Sequence, residues 1–338
     1  MIQHTTPAIA ERCEPPRSKA TREFVFTTTR ELSSDQCDQF CALFESVFEK
    51  PMSAQAFERK YSDTPLGHSH HTLMLVDGKV VGAYNLVPYR YHCFGASRLF
   101  GLSTDAMIHE QYRNGPFNMV KMAKRTWEGA ARDGVVFAFG FPNDAAYTFT
   151  RKVLKWADMG ELDFYALPIN IGAFRQSLAW ANPFSRLCAA GLSHMPRLSA
   201  ARPVTFAVDK VCDTAFRRHR YDERHHTIDL GGGGDCTYSI CVEDGGIRVL
   251  YIVDVTPPTA ARFAQAMAAL RAIAAKRADL ILYVGRLPFA PKGLLRVPPS
   301  KRPRQIRMCG RILDPHDVDR RVLEIDHWNI NLSNFDVR

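Results

Sequence analysis

The sequence lacks long apolar runs, paired cysteines and extended low-complexity tracts. Its longest apolar stretches, Gly134–Phe141 and Asp279–Val284, fall well short of the roughly 18 residues that a membrane-spanning helix needs. The nine cysteines are dispersed and form no CxxC pair, which argues against a disulfide framework and a zinc knuckle. Residues Met1–Lys19 contain adjacent prolines and no apolar segment, so they do not fit a secretory signal. We therefore expect a loose N-terminal tail and a cytoplasmic protein with reduced thiols.

Length and charge set broad limits on the architecture and on the partners. With 338 residues, 46% of them hydrophobic, the chain is long enough for two ordinary globular domains. Its formal charge of +9 favours an anionic partner. Coenzyme A, a nucleotide-linked sugar, nucleic acid and a membrane surface all meet that requirement, so charge alone does not choose among them.

The first half of the chain reads as an alternation of strands and helices. Asp77-Gly78 separates two β-rich runs, which is the strongest short-range signal for a hairpin. After Gly115, apolar residues recur at helical spacing as far as Gly134, and the continuous apolar run that follows is typical of a buried strand. The predicted order is β-α-α-β-β-β-α-β-α, with elements at 24–30, 33–48, 53–61, 72–76, 80–86, 99–109, 117–131, 135–141 and 143–156.

The second half repeats part of this order in architecture but not in sequence. Pro183 and Pro196 interrupt a helical stretch, which suits a connector between two domains. Beyond it, the patterns predict a hairpin over 237–255, a helix over 259–277 and a buried strand at 280–284. We predict a disordered tail at 1–22, a first domain at 23–167, a helical connector at 168–203 and a second domain at 204–338.

The stretch from His109 to Phe117 lies between a predicted strand and a predicted helix. A glycine turn at such a junction exposes backbone N–H groups at the helix N-terminus, where partial positive charge can hold a pyrophosphate. The stretch resembles the acetyl-coenzyme A loop of the Gcn5-related N-acetyltransferase (GNAT) superfamily, whose pattern is Arg/Gln-x-x-Gly-x-Gly/Ala. Here Gly115 comes one residue early after Arg113, and Asn118 stands where the second small residue is expected.

Further segments resemble the superfamily in the same order. Gly134–Asn143 resembles its fifth strand, and Ala146 falls in its Asn-x-x-Ala helix. Leu154-Lys155-Trp156 resembles its closing Gly-Phe/Trp, with Lys155 in place of the glycine. The final segment, Trp328–Arg338, resembles the tail of bacterial two-domain acetyltransferases found with surface-polysaccharide genes. The resemblance covers most of residues 24–338.

This resemblance implies an α/β (α+β) fold, in which a GNAT-like mixed sheet flanked by helices is followed by a second, shortened GNAT-like domain. It implies that the fourth and fifth strands splay apart, with the pantetheine of acetyl-coenzyme A between them and main-chain N–H groups holding the thioester. No metal is expected to take part. The residues expected to bind the co-substrate are Met107, Ile108, His109, Arg113, Asn114, Gly115, Phe117, Asn118 and Asn143.

Direct attack of an amine on a thioester requires a base for the ammonium group and stabilisation of an oxyanion, but no covalent nucleophile. Asp105 lies in the fourth strand, where the family sometimes carries its base, and Glu110 or His109 could act through water. Asp105 could instead cap a turn or pair with Arg98, and Glu110 could simply be solvated.

The family's tyrosine that protonates the thiolate falls on Thr150 in this sequence. Tyr147 lies one helical turn earlier and is the expected substitute. Asp105, Glu110 and Tyr147 are therefore the candidate catalytic residues.

Three other features point less clearly to a site. His68, His70 and His71 lie in a predicted loop with no carboxylate or cysteine at fixed spacing, so a structural role is favoured over a metal site. Gly231–Gly234 lacks the Lys-Ser/Thr of a phosphate loop and is interpreted as a flexible connection. In the second half, Pro257 and Pro258 remove the N–H donors that a pyrophosphate would use, so no coenzyme is expected there.

The segment from 292 to 311 contains basic residues and no acidic one. It could bind a diphosphate or an anionic surface, or it could be a solvated loop. The run has no interleaved aromatic residues of the stacking kind, which disfavours nucleic-acid binding. Its basic residues are Lys292, Arg296, Lys301, Arg302, Arg304, Arg307 and Arg311.

The leading hypothesis is transfer of an acetyl group from acetyl-coenzyme A to a small amine acceptor, such as an amino sugar of a cell-surface glycan. One alternative is a tandem-domain aminoacyl transferase of the peptidoglycan-bridge type, which takes its acyl group from transfer RNA. Another is a non-catalytic protein that keeps the fold for binding or as a scaffold. The acceptor, the acyl length and any homo-oligomeric state stay open.

Overall fold

The structure is a computed structural model that describes residues 21–174, 177, 180, 182–185, 187, 191 and 206–335. Residues 1–20 of the predicted tail and most of the predicted connector lie outside the described residues. In the first half, the elements follow the predicted order. They are β1 (Arg22–Thr28), α1 (Ser34–Phe48), α2 (Ala54–Phe57), β2 (His70–Val76), β3 (Lys79–Cys93), β4 (Ala96–Ile108), α3 (Phe117–Arg132), β5 (Val135–Gly140) and α4 (Asp144–Lys152).

The rest of the described chain is richer in strands than the sequence patterns predict. The hairpin, the long helix and the buried strand of the second half are present, and several strands occur that the patterns did not reveal. The elements are β6 (Ala157–Glu161), β7 (Asp163–Pro168), β8 (Val208–Lys210), α5 (Thr214–Arg220), β9 (His225–Gly231), β10 (Gly234–Val242), β11 (Arg248–Thr256), α6 (Ala260–Arg277), β12 (Leu280–Gly285), β13 (Leu295–Arg296) and β14 (Arg307–Ile312).

Local chemistry accounts for the ends of the helices and for the first hairpin. The side chains of Ser33, Asn143 and Thr259 each accept a hydrogen bond from a backbone N–H in the first turn of the helix that follows, which is the ordinary N-cap contact. Asp77 and Gly78 both have positive φ, at 49° and 80°. This conformation matches the twist of two antiparallel strands, so the predicted β2–β3 hairpin is confirmed.

The first sheet has the order β1-β2-β3-β4-β5-β14-β6, with β8 paired to β3. Strands β4 and β5 run parallel, as expected for strands joined through helix α3. The second sheet has the order β13-β7-β12-β11-β10-β9. Its parallel pair, β11 and β12, is joined through α6 in the same way. The second sheet therefore repeats the β-α-β crossover of the first.

Each sheet contains a strand from the other part of the chain. Strand β14, near the C-terminus, lies between β5 and β6 in the first sheet, and β7 lies beside β12 in the second. Each of these strands thus lies in a different sheet from most of the chain on its own side of the predicted boundary at residue 167. The four-part division of the chain stays a prediction. Trp328 is fully buried among the aromatic rings of Phe100, Phe137 and Phe139, so the end of the chain also contributes to the core of the first sheet.

Candidate active site

Strands β4 and β5 pair over only part of their length. Pairing runs from Leu99 and Val135 to Leu102 and Phe139, and beyond these residues the two strands diverge. A cavity of about 570 Å³ opens between the diverging ends, within the range of ordinary small-molecule sites. We call it the strand-gap cavity; its wall consists of Val47, Phe48, Tyr84, Ser103, Thr104, Asp105, Ala106, Met107, Ile108, Arg113, Gly115, Met119, Gly140, Phe141, Pro142, Asn143, Ala145, Ala146, Phe149, Thr150, Leu154, Trp156 and Phe335.

A bulge in β4 shapes one side of this cavity. The β3–β4 register shifts next to Asn85, and Asp105 has a φ of 46°, a conformation that costs energy for a residue other than glycine. The Nδ2 of Asn85 donates to the carbonyl oxygens of Thr104 at 3.3 Å and Asp105 at 3.0 Å. These hydrogen bonds satisfy carbonyl groups that the bulge removes from the ladder. The distorted backbone places Asp105 on the cavity wall.

The Asp105 carboxylate is held from the opposite side by the segment that follows α2. Its Oδ2 lies 2.5 Å from Lys60 Nζ and accepts a hydrogen bond of 2.5 Å from the Tyr61 hydroxyl. The side chain of Asp105 is 15% exposed, and the residue lines the strand-gap cavity. The alternative pairing with Arg98 is wrong, because Arg98 binds Asp317 at 2.7 Å.

A buried polar network supports the bulge from behind. Since Asn85 donates through Nδ2, its Oδ1 is the acceptor for His71 Nδ1, at 2.8 Å, and the His71 Nε2 lies 2.9 Å from the Thr29 hydroxyl. Burial lowers the pKa of His71 to about 4. His71 is therefore a neutral structural residue, which agrees with the structural role predicted for it.

The end of β4 leads into a turn and the N-terminus of α3. Arg113 Nε donates to the carbonyl oxygen of Ile108 at 2.7 Å, which folds the turn back on the strand. Gly115 has a φ of 76°, a conformation that glycine adopts readily. Pro116, the N-cap residue of α3, makes no side-chain hydrogen bond to the helix, and the N–H groups of the first turn have no acceptor within the helix. This helix N-terminus is a suitable place for an anion.

The structure brings five of the predicted coenzyme-binding residues to the cavity wall. Phe117 is 67% exposed, and Asn118 is buried with its Nδ2 donating to Tyr112 O at 3.1 Å. The backbone N–H of His109 donates to Val81 O at 2.8 Å within the sheet, and the predicted thioester contact at His109 stays a prediction. The wall residues are Met107, Ile108, Arg113, Gly115 and Asn143; of the predicted set, His109, Asn114, Phe117 and Asn118 are not among the described residues that form it.

Two of the three predicted catalytic residues do not face the cavity. Glu110 is exposed in the turn after β4 and is not among the described wall residues. Tyr147 donates its hydroxyl to Asp158 at 2.6 Å, and the Arg307 guanidinium lies 4.5 Å from the centre of its ring. This hydrogen bond raises the pKa of Tyr147. Thr150 does line the cavity, and the catalytic roles of Glu110 and Tyr147 stay predictions.

Phe335 is a wall residue that the sequence patterns did not identify. Its ring stacks on Phe141, with the ring centroids 4.0 Å apart. Phe141 follows β5 directly, whereas Phe335 is the last described residue. The sequence drew attention to the C-terminal segment only through its resemblance to other proteins, which gave no position for it in the fold.

The histidine cluster has a carboxylate neighbour that the sequence did not reveal. Asp133, at the end of α3, lies 2.9 Å from His70 Nε2. The ligand atoms of His68, His70 and Asp133 all lie within 4.8 Å of one another, a spacing that could accommodate a cation. In the structure, His70 is instead hydrogen-bonded to Asp133.

The basic segment near the C-terminus is not part of the described wall of the strand-gap cavity, and its arginines pair with other groups of the chain. Arg296 and Arg302 both donate to the buried carboxylate of Asp163, at 2.7 and 2.9 Å. Arg307 pairs with Asp144 at 2.9 Å, and the Arg311 guanidinium lies 4.2 Å from the Trp127 ring centroid. These four arginines have partners within the chain, and the anion-binding role considered for the segment stays a prediction.

The glycine-rich segment forms the turn of the β9–β10 hairpin, not a flexible connection between separate elements. Gly231, Gly232 and Gly233 have φ values of 74°, 55° and 71°. Arg262 of α6 donates to the carbonyl oxygens of this turn, including Gly232 O at 2.8 Å. The turn therefore presents carbonyl oxygens to the Arg262 guanidinium, which is the opposite of the N–H donors that a phosphate loop presents.

The fold and the gap in the sheet define an acyltransferase architecture. Residues 28–153 match the family model described as acetyltransferase (GNAT) domain. Among curated proteins, no sequence matches this chain. None of the described helices is long and apolar enough to cross a membrane.

Solved structures show how far this fold extends. A GCN5-related N-acetyltransferase from Anabaena variabilis has 12% identity and a TM-score of 0.57, over 86% of this chain and 73% of its own. A GCN5-related N-acetyltransferase from Kribbella flavida has 14% identity and a TM-score of 0.56, over 87% and 72%. Eis1 from Mycobacterium abscessus has 11% identity and a TM-score of 0.54, over 87% and 74%. At these identities the likeness shows a shared fold, and the predicted GNAT architecture is confirmed over most of the chain.

Proposed function

We propose that this protein transfers an acetyl group from acetyl-coenzyme A to the amine of a small acceptor. The observation that carries this proposal is the divergence of β4 and β5 after Leu102 and Phe139, which opens a cavity of about 570 Å³. The cavity extends from Asp105 to the turn that precedes α3. One cavity thus joins a carboxylate to a helix N-terminus that suits an anion.

The chain offers complementary groups for each part of the coenzyme. The first N–H groups of α3, which have no acceptor within the helix, and the helix dipole provide donors and a favourable field for the pyrophosphate. Apolar side chains on the cavity wall suit the pantetheine arm, and burial of apolar surface favours its binding. These side chains include Met107, Met119, Phe149, Leu154 and Trp156.

Asp105 is the residue best placed to act as the base. The neutral amine attacks the thioester carbon, the C–N bond forms, the C–S bond breaks, and one nitrogen proton passes to the departing thiolate, which leaves as the free thiol of coenzyme A. Before this attack, the ammonium group must lose its first proton. The Asp105 carboxylate accepts that proton, directly or through a water molecule. Lys60 Nζ and the Tyr61 hydroxyl each lie 2.5 Å from Asp105 Oδ2 and hold the carboxylate in place. The nitrogen is the nucleophile, so no covalent intermediate with the protein is required.

The experiment is an acyl-transfer assay with purified protein, acetyl-coenzyme A and a panel of amines that includes amino sugars. The proposal expects release of free coenzyme A thiol that depends on the acceptor, together with an acetylated amine identified by mass spectrometry. Longer acyl-coenzyme A thioesters in the same assay define the acyl length. An amino sugar of a cell-surface glycan is one acceptor that the proposal allows.

Two outcomes would favour the alternatives. If acetyl-coenzyme A binds but no amine is acetylated, the non-catalytic binding function gains support. If acetyl-coenzyme A does not bind and aminoacyl transfer RNA serves as donor, the protein belongs with the aminoacyl transferases in function. Either outcome contradicts the proposal.

A further inference from the structure

A second cavity, of about 280 Å³, lies beside the first. We call it the basic cavity. It is formed by the segment around α2, the end of α5 with the loop that follows, strand β11, and the last described residues. Four of its lining residues are arginine or lysine, two are histidine, and Asp222 is the one acid among the described residues that line it. The basic and histidine side chains are Arg59, Lys60, His219, Arg220, Arg224 and His225.

The acid of the basic cavity is already matched by nearby donors. Asp222 accepts hydrogen bonds from Arg224, at 2.6 Å from Nη2 and 2.9 Å from Nε, and its Oδ1 lies 2.7 Å from His225 Nδ1. A guanidinium has five N–H donors, so Arg224 keeps donors beyond those used by Asp222. Arg59 lies 3.9 Å from the exposed carboxylate of Glu223, which is a weak surface pair. The cavity therefore has an excess of positive charge.

The basic cavity adjoins the strand-gap cavity at two residues. Lys60 lines the basic cavity, and its Nζ lies 2.5 Å from Asp105 Oδ2 on the wall of the other. Phe335 lines both cavities. A single side chain, Lys60, therefore links the basic cavity to the Asp105 carboxylate. A volume of about 280 Å³ lies just below the usual range for a whole ligand site, so it fits one end of an acceptor and not a complete coenzyme.

We propose that the basic cavity binds an oxyanion, a phosphate or a carboxylate, carried by the amine acceptor. This inference rests on the proposed acetyl transfer and names the class of acceptor. Arg59 and Arg224 bind the oxyanion through charge-assisted hydrogen bonds, for which the planar guanidinium is well suited. The acceptor amine then extends past Lys60 toward Asp105, where it loses its proton.

The first test compares acceptors that differ only in the anion. O-phosphoethanolamine is compared with ethanolamine, and glycine with glycinamide, in the acetyl-transfer assay. The double variant Arg59→Gln/Arg224→Gln should lower kcat/KM for the anionic members by about tenfold or more, as expected for lost hydrogen bonds to a charged group. It should leave kcat/KM for the neutral acceptors and the affinity for acetyl-coenzyme A unchanged.

A matched control is Arg218→Gln, which changes an exposed arginine on α5 that does not line the basic cavity. It should leave kcat/KM for every acceptor unchanged. The proposal is overturned if the double variant lowers kcat/KM equally for neutral and anionic acceptors. It is also overturned if the variant weakens the binding of acetyl-coenzyme A instead. Arg59 and Arg224 have side chains that are 45% and 55% exposed, and thermal unfolding of the variants checks that both fold.

A binding experiment separates this inference from the proposed function. O-phosphoethanolamine is titrated into the protein by calorimetry without any acyl donor. Binding that weakens about tenfold in the double variant supports the basic cavity, even if the transfer assay yields no product and the proposed function fails. If no anionic amine binds the unaltered protein while neutral amines are acetylated, the basic cavity proposal is wrong and the proposed function stands.

Discussion

Lys60 Nζ and Asp105 Oδ2 lie 2.5 Å apart, and this ion pair joins the segment after α2 to the bulge of β4. Asp105 adopts a φ of 46°, which an extended strand residue would avoid. Lys60 and Tyr61 both bind the same carboxylate oxygen, so they stabilise the bulge and orient the side chain. The bulge is thus a feature of the site, in keeping with the tendency of bulges to aim side chains near active centres.

Asp105→Asn should lower kcat by about 10²–10⁴, since the amide has a similar size but cannot accept the proton of the ammonium group. The affinity for acetyl-coenzyme A, measured by calorimetry, should change little. Asp317→Asn is the matched control, because it removes an ion pair of 2.7 Å with Arg98 at a position outside the described wall of the strand-gap cavity. A kcat of Asp105→Asn equal to that of the control would refute the assignment of the base.

Gly115→Val should weaken acetyl-coenzyme A binding by about tenfold, because a β-branched residue disfavours a φ of 76° by about 1–2 kcal/mol. An added Cβ meets no atom within 4 Å at this position, so the effect is on the conformation of the turn. Gly95→Val is the control, since Gly95 has a φ of 85° and equally open surroundings in the β3–β4 hairpin. Equal losses of affinity in the two variants would show that the turn has no special role.

Tyr147→Phe should retain kcat within about twofold, since the hydroxyl binds Asp158 and is not among the described groups on the cavity wall. Steady-state kinetics with a saturating acceptor measure the effect. A loss of about tenfold or more in kcat, as expected for removal of a general acid, would restore the catalytic role that the sequence predicts for Tyr147.

The free energy of unfolding should depend on pH through His71. Burial lowers the pKa of this residue from 6.5 to about 4 in the folded chain. Between about pH 4 and pH 6.5, His71 is protonated in the unfolded chain but neutral in the folded chain. Its contribution to the stability of the folded chain is therefore fully present above pH 6.5 and decreases as the pH falls from about 6.5 to about 4. A shift of this size corresponds to about 3 kcal/mol.

Urea unfolding of the protein and of His71→Gln between about pH 4 and pH 7.5 measures this contribution. The variant keeps a side-chain amide for the buried network, but residue 71 no longer titrates in this window. The difference in unfolding free energy between the two proteins should shrink as the pH falls. A difference that is constant across the window would show that His71 does not titrate as described.

The sequence predicts the parts of the fold that depend on neighbouring residues. Asp77-Gly78 specifies the first hairpin, Asn143 caps α4, and the apolar run at Val135–Gly140 is the buried strand β5. Even Lys155, at the position of the family's glycine, has a φ of 59°, a conformation that glycine adopts more easily. These features follow from local backbone preferences and from hydrophobic periodicity.

Features formed by distant residues could not be predicted in this way. Strand β14 inserts between β5 and β6, and no local pattern indicates which sheet a short strand will join. The same limit applies to Phe335 on the cavity wall, to the Lys60–Asp105 pair, and to the arginines that converge on Asp163. Their roles depend on contacts between segments that are far apart in the chain, and such contacts leave no periodic signal in a single sequence.

The central claim is that the coenzyme lies between the diverging ends of β4 and β5, and calorimetric titration of acetyl-coenzyme A tests it most directly. The titration compares Ala146→Trp with Thr148→Trp, which place the same ring on exposed positions of α4, one on the cavity wall and one outside the described wall. We predict that Ala146→Trp abolishes binding because its ring fills the cavity, while Thr148→Trp binds like the unaltered protein. Undiminished binding by a folded Ala146→Trp variant would contradict the account.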